Sequence, residues 1–206
     1  ETEVELWGEV ELAWQIQKTA TSRPNTPWLT VTGTNGKTTT VGMTQSILQA
    51  AGYEALAVGN VGSPVVLAAA QAKAQVLAVE LSSFQLYTIS SLSPLAAVCL
   101  NIDADHLDWH GSEAAYVAAK ARVYERAQKA VLYNQQDSRT LDLTLAADVT
   151  EGCRAIGFTT GIPDIYQLGL VENMLIDRAY SANPYKEAVA LVGMGDFHYY
   201  HGEPGI

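Results

Sequence analysis

The sequence predicts an α/β fold in which a mostly parallel sheet is flanked by helices and carries a phosphate-binding loop. Short apolar runs alternate with helical segments between residues 28 and 133, as in a parallel sheet covered on both faces. A turn with two glycines separates the first apolar run from a helical segment. After Cys153 the runs shorten and no clear helix separates them, which predicts a few antiparallel strands at the C-terminal end.

Five strands and three connecting helices are predicted between residues 28 and 133. The strands cover residues 28–32, 54–58, 75–80, 95–100 and 129–133. The helices cover residues 37–51, 64–72 and 112–128. Because crossovers between parallel strands are right-handed, we expect these strands to point the same way. Further strands are predicted at 154–158, 167–171, 174–177 and 188–192, and a separate helix at 8–18.

Composition indicates a globular protein with a sizeable core, since 48% of the 206 residues are hydrophobic and 17% are charged. The formal net charge of −10 argues against a general nucleic-acid or anionic-membrane binder, because both need a basic surface. No apolar run approaches the ~20 residues needed to span a bilayer. Cys99 lies within an apolar run and is predicted to be a buried thiol, which fits a reduced cytoplasmic setting.

The phosphate-binding loop is predicted within residues 29–40. Its glycines let backbone N–H groups turn towards one anion, and the following helix adds its positive end. Lys37 would reach the outer phosphates, and the Thr38 hydroxyl would hold Mg²⁺. The first glycine of the common spacing is replaced by Val31, and a turn without a ligand is the alternative. The predicted nucleotide contacts are Gly33, Thr34, Asn35, Gly36, Lys37, Thr38 and Thr39.

Polar residues follow the other parallel strands, at the sheet edge where ligands bind. Glu80 ends the third strand beside the loop, where a carboxylate can hold Mg²⁺ directly or through water. Asn60 follows the second strand between two glycines. His106 follows the fourth, and we expect it to contact a metal or a phosphate. We expect Asp103 and Asp108 to cap helices or to be solvated.

Lys120 lies in the middle of the apolar stripe of the helix predicted over residues 112–128. A buried amine is costly unless it is paired or neutral. One alternative is a lysine whose head group reaches past apolar neighbours to water. The other is a working lysine with a depressed pKa, whose neutral amine can bind CO₂ and become a metal-binding carbamate.

The stretch 134–137 (NQQD) is similar to the guanine-binding motif of GTPases but has Gln135 where that motif has lysine. We therefore expect Asn134 and Asp137 to turn the chain and to cap the next helix.

Together these motifs resemble the Mur ligases and the related folylpolyglutamate synthases. Residues 31–39 match the shorter glycine spacing of that family's ATP loop. The segments 59–62, 80–86, 100–108 and 118–125 follow in the family's order. Residues 80–86 (ELSSFQL) are similar to those of the Mur ligase that adds D-glutamate. The resemblance covers roughly residues 5–180.

The resemblance implies a cytoplasmic step of peptidoglycan synthesis. ATP would phosphorylate the carboxylate of UDP-N-acetylmuramoyl-L-alanine, and the amine of D-glutamate would attack the acyl phosphate. The resemblance implies two Mg²⁺ sites, one at Thr38 and Glu80 and one at His106 and a carbamylated Lys120. Lys37 would neutralise the transferred phosphate. The muramoyl substrate would be positioned by Asn60, Ser82, Ser83 and Gln85.

The same resemblance divides the chain into two parts. Residues 1–22 would be the last helix of a missing N-terminal UDP-binding domain with its linker, and residues 23–206 the central ATPase domain. The family's C-terminal ligase domain is absent, so we expect this piece alone to be inactive, and we expect a monomer. A folate-type glutamate ligase and a nucleotide-binding module without chemistry are the alternatives.

Overall fold

The computed structural model describes residues 6–19, 25–103 and 107–196. The chain forms two compact units, the first ending at Ala155 and the second beginning at Ile156. Within the described residues, no helix combines the length and the apolar character that crossing a membrane requires.

A five-stranded parallel sheet forms the centre of the first unit, in the order β2-β3-β1-β4-β5. The predicted parallel arrangement is therefore confirmed. All five residues of β3 are buried, as expected of a strand covered on both faces. The strands are β1 (Trp28–Thr32), β2 (Ala55–Gly59), β3 (Val76–Glu80), β4 (Ala96–Cys99) and β5 (Ala130–Asn134).

Seven α-helices are described in the first unit: α1 (Glu9–Thr19), α2 (Lys37–Ala50), α3 (Val65–Gln71), α4 (Ser83–Tyr87), α5 (Leu107–His110), α6 (Glu113–Ala121) and α7 (Ser138–Ala146). The sequence analysis missed α4 and α5, because helices of five and four residues are too short to show helical periodicity. The expected cap is confirmed, since the Asp137 side chain accepts a hydrogen bond from the Arg139 N–H at the start of α7.

The helix predicted over residues 112–128 is too long. The α-helix ends at Ala121 and continues as one 3₁₀ turn, Arg122–Tyr124. Arg126 then adopts a φ of +57°, which no right-handed helix allows. Its backbone N–H donates to the Asp148 oxygen and its side chain to the Leu92 oxygen, so contacts distant in sequence end the helix.

Helix α1 packs into the core of the first unit. Val10, Ala13 and Trp14 are buried in the same apolar cluster as the central strands. Glu11 is fully buried, and its carboxylate accepts hydrogen bonds from both backbone N–H groups of Ser90 and Ser91. The assignment of residues 1–22 to a preceding domain and its linker remains a prediction, and residues 1–5 and 20–24 lie outside the described part.

Cys99 is fully buried in β4, as predicted, and burial raises the pKa of its thiol to about 12. Its backbone N–H donates to the Tyr124 hydroxyl over 3.0 Å. That hydroxyl in turn donates to the Leu132 oxygen over 2.6 Å. Tyr124 therefore ties the 3₁₀ turn after α6 to two neighbouring strands.

The second unit consists mainly of strands. Two pairs, β7 (Gln167–Val171) with β8 (Met174–Asp177) and β8 with β9 (Val189–Gly193), are antiparallel, as predicted. The expectation fails for β6 (Arg154–Phe158), which pairs with β7 in parallel. Eight residues lie between β6 and β7, and only two residue pairs join these strands, so the return path is short. A two-residue turn joins β7 to β8, as in an antiparallel hairpin.

Candidate active site

The predicted phosphate loop connects β1 to α2 and is held from the side by the segment after β4. The Thr34 N–H donates to the Asn101 backbone oxygen, and the Asn35 N–H donates to the Asn101 side chain over 2.9 Å. Gly33 has a φ of +151°, and a Cβ there would come within 3.0 Å of the Leu100 side chain. The glycine is therefore required both by the turn and by the close approach of the segment after β4.

Lys37 begins α2 and folds back over the loop. Its amine donates to the Gly33 oxygen over 2.9 Å and to the Thr34 oxygen over 3.0 Å. The amine therefore lies at the loop, beside the N-terminal end of α2, where the helix dipole and unpaired N–H groups also favour an anion.

Thr38 and Glu80 form a pair of oxygen ligands next to the loop. The Thr38 hydroxyl donates to one carboxylate oxygen of Glu80 over 2.8 Å. The Asn60 amide donates to the other oxygen over 3.2 Å. Glu80 is only 2% exposed, so its carboxylate is held by these contacts at the end of β3. Hydroxyl and carboxylate oxygens are the ligands that Mg²⁺ prefers, and the pair therefore fits a magnesium site.

Lys120 reaches the same loop from α6. The predicted burial is confirmed, since its side chain is 2% exposed. Its amine donates to the Gly33 oxygen over 2.9 Å and lies 4.8 Å from the centre of the Tyr116 ring. The lysine does not reach past its neighbours to water, so the first alternative of the sequence analysis is wrong. Its carbamylation remains a prediction.

One cavity of about 110 Å³ brings seven of the fourteen predicted site residues together. Helix α4 contributes Ser83 and Phe84 to its wall, and α6 contributes Tyr116. The full lining is Gly33, Thr34, Lys37, Asn60, Ser82, Ser83, Phe84, Tyr116 and Lys120. The cavity thus joins the phosphate loop to the start of α4.

Gln85 has a structural contact that the sequence analysis did not predict. Its side-chain oxygen accepts from the Ser82 N–H over 3.0 Å, and the Gln85 N–H donates to the Ser82 hydroxyl over 3.2 Å. This reciprocal pair caps α4 and fixes the direction in which the helix leaves β3. The spacing of Ser82 and Gln85 is the sequence signal that could have identified the helix.

The remaining predicted residues differ in their placement. Thr39 is exposed on α2. Asp103 and Asp108 are exposed, and the Asp103 carboxylate lies 3.8 Å from the Arg139 guanidinium. His106 lies outside the described residues. Among the described residues, no group of three or more histidine, cysteine, aspartate or glutamate side chains is arranged to hold a metal ion.

His110 is a site residue that the sequence analysis missed. Its Nε2 atom lies 2.9 Å from the Ser83 hydroxyl oxygen. Its ring stacks on Phe84, with ring centres 5.6 Å apart. His110 and Ser83 are 27 residues apart on two short helices, so no periodic pattern in the sequence connects them.

Comparison with known proteins identifies relatives of this chain. The family model described as the Mur ligase middle domain matches residues 31–173. Two similar curated proteins are both named UDP-N-acetylmuramoylalanine–D-glutamate ligase. The Streptomyces avermitilis protein is 51% identical over 96% of this chain, and the Streptomyces coelicolor protein is 52% identical over 94%. The chain spans about two fifths of their length, 42% and 41%.

Solved structures share the fold at low identity. A UDP-N-acetylmuramoyl-L-alanyl-D-glutamate–2,6-diaminopimelate ligase matches 81% of this chain and 41% of its own, with a TM-score of 0.62 and 22% identity. A MurF ligase from Thermotoga maritima, solved with ADP, matches 90% of this chain and 44% of its own, with a TM-score of 0.59 and 17% identity. A structure of E. coli FolC in complex with DHPP and ADP matches 85% of this chain and 51% of its own, with a TM-score of 0.55 and 18% identity.

Proposed function

The chain belongs to the Mur ligase family, and we propose that the protein containing it joins D-glutamate to UDP-N-acetylmuramoyl-L-alanine with hydrolysis of ATP to ADP. The observation that carries the proposal is the meeting of the phosphate loop, Asn60 and Lys120 around one cavity, with Glu80 held beside it by Thr38 and Asn60. The choice of substrates rests on the two Streptomyces relatives, which are named UDP-N-acetylmuramoylalanine–D-glutamate ligase and are 51% and 52% identical over nearly the whole chain. We further propose that the protein acts in the cytoplasm as a monomer.

The proposed reaction has two steps. An oxygen of the alanyl carboxylate attacks the γ-phosphorus of ATP, ADP leaves, and an acyl phosphate forms. The amine of D-glutamate then attacks the acyl carbon, phosphate leaves from the tetrahedral intermediate, and the amine loses a proton. The balance is one amide, one ADP and one phosphate per ATP consumed.

The phosphate loop would supply most of the first step, because phosphoryl transfer depends mainly on positioning and on charge neutralisation. The backbone N–H groups between Gly33 and Lys37, with the start of α2, would hold the phosphate oxygens. The Lys37 amine donates to two loop oxygens, and it would turn to a phosphate oxygen when ATP binds. Its positive charge would then offset the negative charge of the transferred group.

Thr38 and Glu80 are the residues that would hold one Mg²⁺, supported by their 2.8 Å hydrogen bond at the loop. Lys120, as a carbamate, would be a ligand of a second Mg²⁺ together with His106. The position of Lys120 supports this role, because its amine lies at the Gly33 oxygen of the phosphate loop. Bound Mg²⁺ supplies Lewis-acid stabilisation of the phosphate oxygens during transfer.

The muramoyl substrate would bind on the side of the cavity formed by α4. Ser82 caps this helix, Ser83 begins it, and both line the same cavity as Lys37. Asn60 lies at the same edge, and its amide contacts Glu80. Gln85 would act through the cap that orients Ser82, which is a positioning role and not a direct contact.

A folate-type glutamate ligase is the second candidate, favoured by the fold shared with the FolC structure. Substrate trials on the full-length protein separate the two. We expect ADP release to require both UDP-N-acetylmuramoyl-L-alanine and D-glutamate. ADP release with a folate and L-glutamate, and none with the muramoyl substrate, would overturn the proposal.

A further inference from the structure

We propose that His110 is a positioning residue that fixes the Ser83 hydroxyl at the wall of the cavity, and thereby strengthens binding of the carboxylate substrate. The inference rests on the proposed function, because it assigns the α4 side of the cavity to the muramoyl substrate. His110 does not line the cavity, so it would act only through its neighbours.

The first step is the contact between the two side chains. Ser83 is 2% exposed, and its hydroxyl lies 2.9 Å from His110 Nε2. A serine hydroxyl rotates freely unless a partner fixes it. With His110 in place, one hydrogen-bonding direction of the hydroxyl is taken, and the remaining directions are fixed for a ligand.

The second step is the restraint on the imidazole ring. The ring stacks on Phe84 with an interplanar angle of 15°. The Trp109 and Tyr116 rings meet it edge to face, with centres 4.5 Å and 5.3 Å away. Three aromatic neighbours therefore hold the ring and limit the positions that Nε2 can take.

The third step is the link from His110 through Tyr116 to the phosphate loop. The Tyr116 hydroxyl lies 3.0 Å from the Thr34 hydroxyl, which also accepts from the Asp103 N–H over 2.9 Å. His110 thus stands between the wall formed by α4 and the phosphate loop. Its Nε2 atom contacts Ser83 on α4, whereas its ring contact with Tyr116 faces the loop side. Loss of Nε2 should therefore weaken binding of the carboxylate substrate more than binding of ATP.

The test uses two variants of the full-length protein that separate the ring from its nitrogen. His110→Phe keeps the aromatic contacts and loses the hydrogen bond, whereas His110→Gln returns an amide near the position of Nε2. For His110→Phe we expect the KM for UDP-N-acetylmuramoyl-L-alanine to rise roughly three- to tenfold, the usual range for one hydrogen bond. We expect the KM for ATP and kcat to stay within about twofold, and His110→Gln to recover most of the loss.

A double variant shows whether His110 acts through Ser83. We expect Ser83→Ala to raise the same KM, and His110→Phe to add nothing in the Ser83→Ala background. Tyr87→Phe is the matched control, because it keeps the ring contact with Trp109 and removes only an exposed hydroxyl.

Three results would overturn the inference: an unchanged muramoyl KM in His110→Phe, an equal rise of both KM values, or additive effects in the double variant. In each of these cases the wild type still makes the muramoyl product, so the proposed function stands. If the wild type released no ADP with the muramoyl substrate, the proposed function would fail and the inference with it.

Discussion

The Thr38 hydroxyl donates a 2.8 Å hydrogen bond to the Glu80 carboxylate, which joins the first turn of α2 to the end of β3. The two residues are 42 positions apart, and the parallel sheet brings them together because β1 and β3 are neighbours. Both side chains offer oxygen atoms beside the phosphate loop. This relationship leads to the first prediction.

Glu80→Gln should weaken the use of Mg²⁺ by the full-length protein. The amide keeps the shape of the side chain but loses the negative charge that attracts the cation. We expect the Mg²⁺ concentration for half-maximal ADP formation to rise at least about tenfold. A magnesium titration of ADP release measures this, with Glu151→Gln, an exposed glutamate, as the control. Equal titration curves for Glu80→Gln and the wild type would count against the magnesium site.

Lys120→Arg should lower ligase activity at least about 100-fold, although the substitution keeps the positive charge. A guanidinium does not form a carbamate at neutral pH, and arginine is larger than the lysine that is buried beside Tyr116. Wild-type activity should fall when CO₂ is removed and recover when bicarbonate is added. Measured ADP release that is independent of bicarbonate would contradict the proposed carbamate.

Two glycines near the site, Gly59 and Gly62, allow a matched comparison of how alanine changes the free energy of unfolding. Both have positive φ, +125° for Gly59 and +83° for Gly62. A Cβ at Gly59 would overlap the Glu80 carbonyl group, whereas a Cβ at Gly62 meets nothing within 4 Å. We expect Gly62→Ala to lower the free energy of unfolding by about 1–2 kcal/mol, the cost of the left-handed conformation. Gly59→Ala should cost at least about 3 kcal/mol, because backbone must also move.

Urea unfolding followed by tryptophan fluorescence compares the two glycine variants. A Gly59→Ala variant as stable as Gly62→Ala would show that β2 and β3 do not approach each other as closely as described.

Glu11 should make stability depend on pH in the acid range. Burial opposes ionisation of its carboxyl group, but hydrogen bonds from Ser91, Ser90 and Gln15 outweigh burial and lower the pKa from 4.5 to about 2. Stability from this group is therefore complete above pH 4.5 and is lost as the pH falls towards 2. We expect Glu11→Gln to lower the free energy of unfolding by about 1–3 kcal/mol at pH 7. The difference in free energy of unfolding between this variant and the wild type should shrink below pH 4.5.

Unfolding of the 206-residue chain at several pH values tests this prediction. Glu151→Gln, at an exposed position, should leave the pH profile of the wild type unchanged. A constant difference between wild type and Glu11→Gln from pH 7 to pH 3 would contradict the role given to the Glu11 carboxylate.

The parallel sheet and the position of Lys120 were predictable because both leave a recognisable pattern of apolar residues. Strands buried on both faces are continuous apolar runs, and a lysine within a helical apolar stripe stands out. The phosphate loop was predictable because its glycines and Lys37 have a chemical reason to occur together.

The short helices and the contacts between them were harder to predict from the sequence. Helices α4 and α5 have only five and four residues, too few to show helical periodicity, so no periodic pattern indicated the His110–Ser83 pair. The end of α6 is set by contacts of Arg126 with Leu92 and Asp148, which only the folded chain brings together. The parallel pairing of β6 with β7 likewise depends on the path of the intervening loop.

The most direct test of the account follows oxygen atoms through the reaction of the full-length protein. UDP-N-acetylmuramoyl-L-alanine is labelled with ¹⁸O in both oxygens of its alanyl carboxylate and is incubated with ATP, Mg²⁺ and D-glutamate. The account predicts one ¹⁸O atom in each molecule of released phosphate, because the attacking carboxylate oxygen leaves with the phosphoryl group. Unlabelled phosphate, or labelled substrate left unconsumed while ADP accumulates, would contradict ligation through an acyl phosphate.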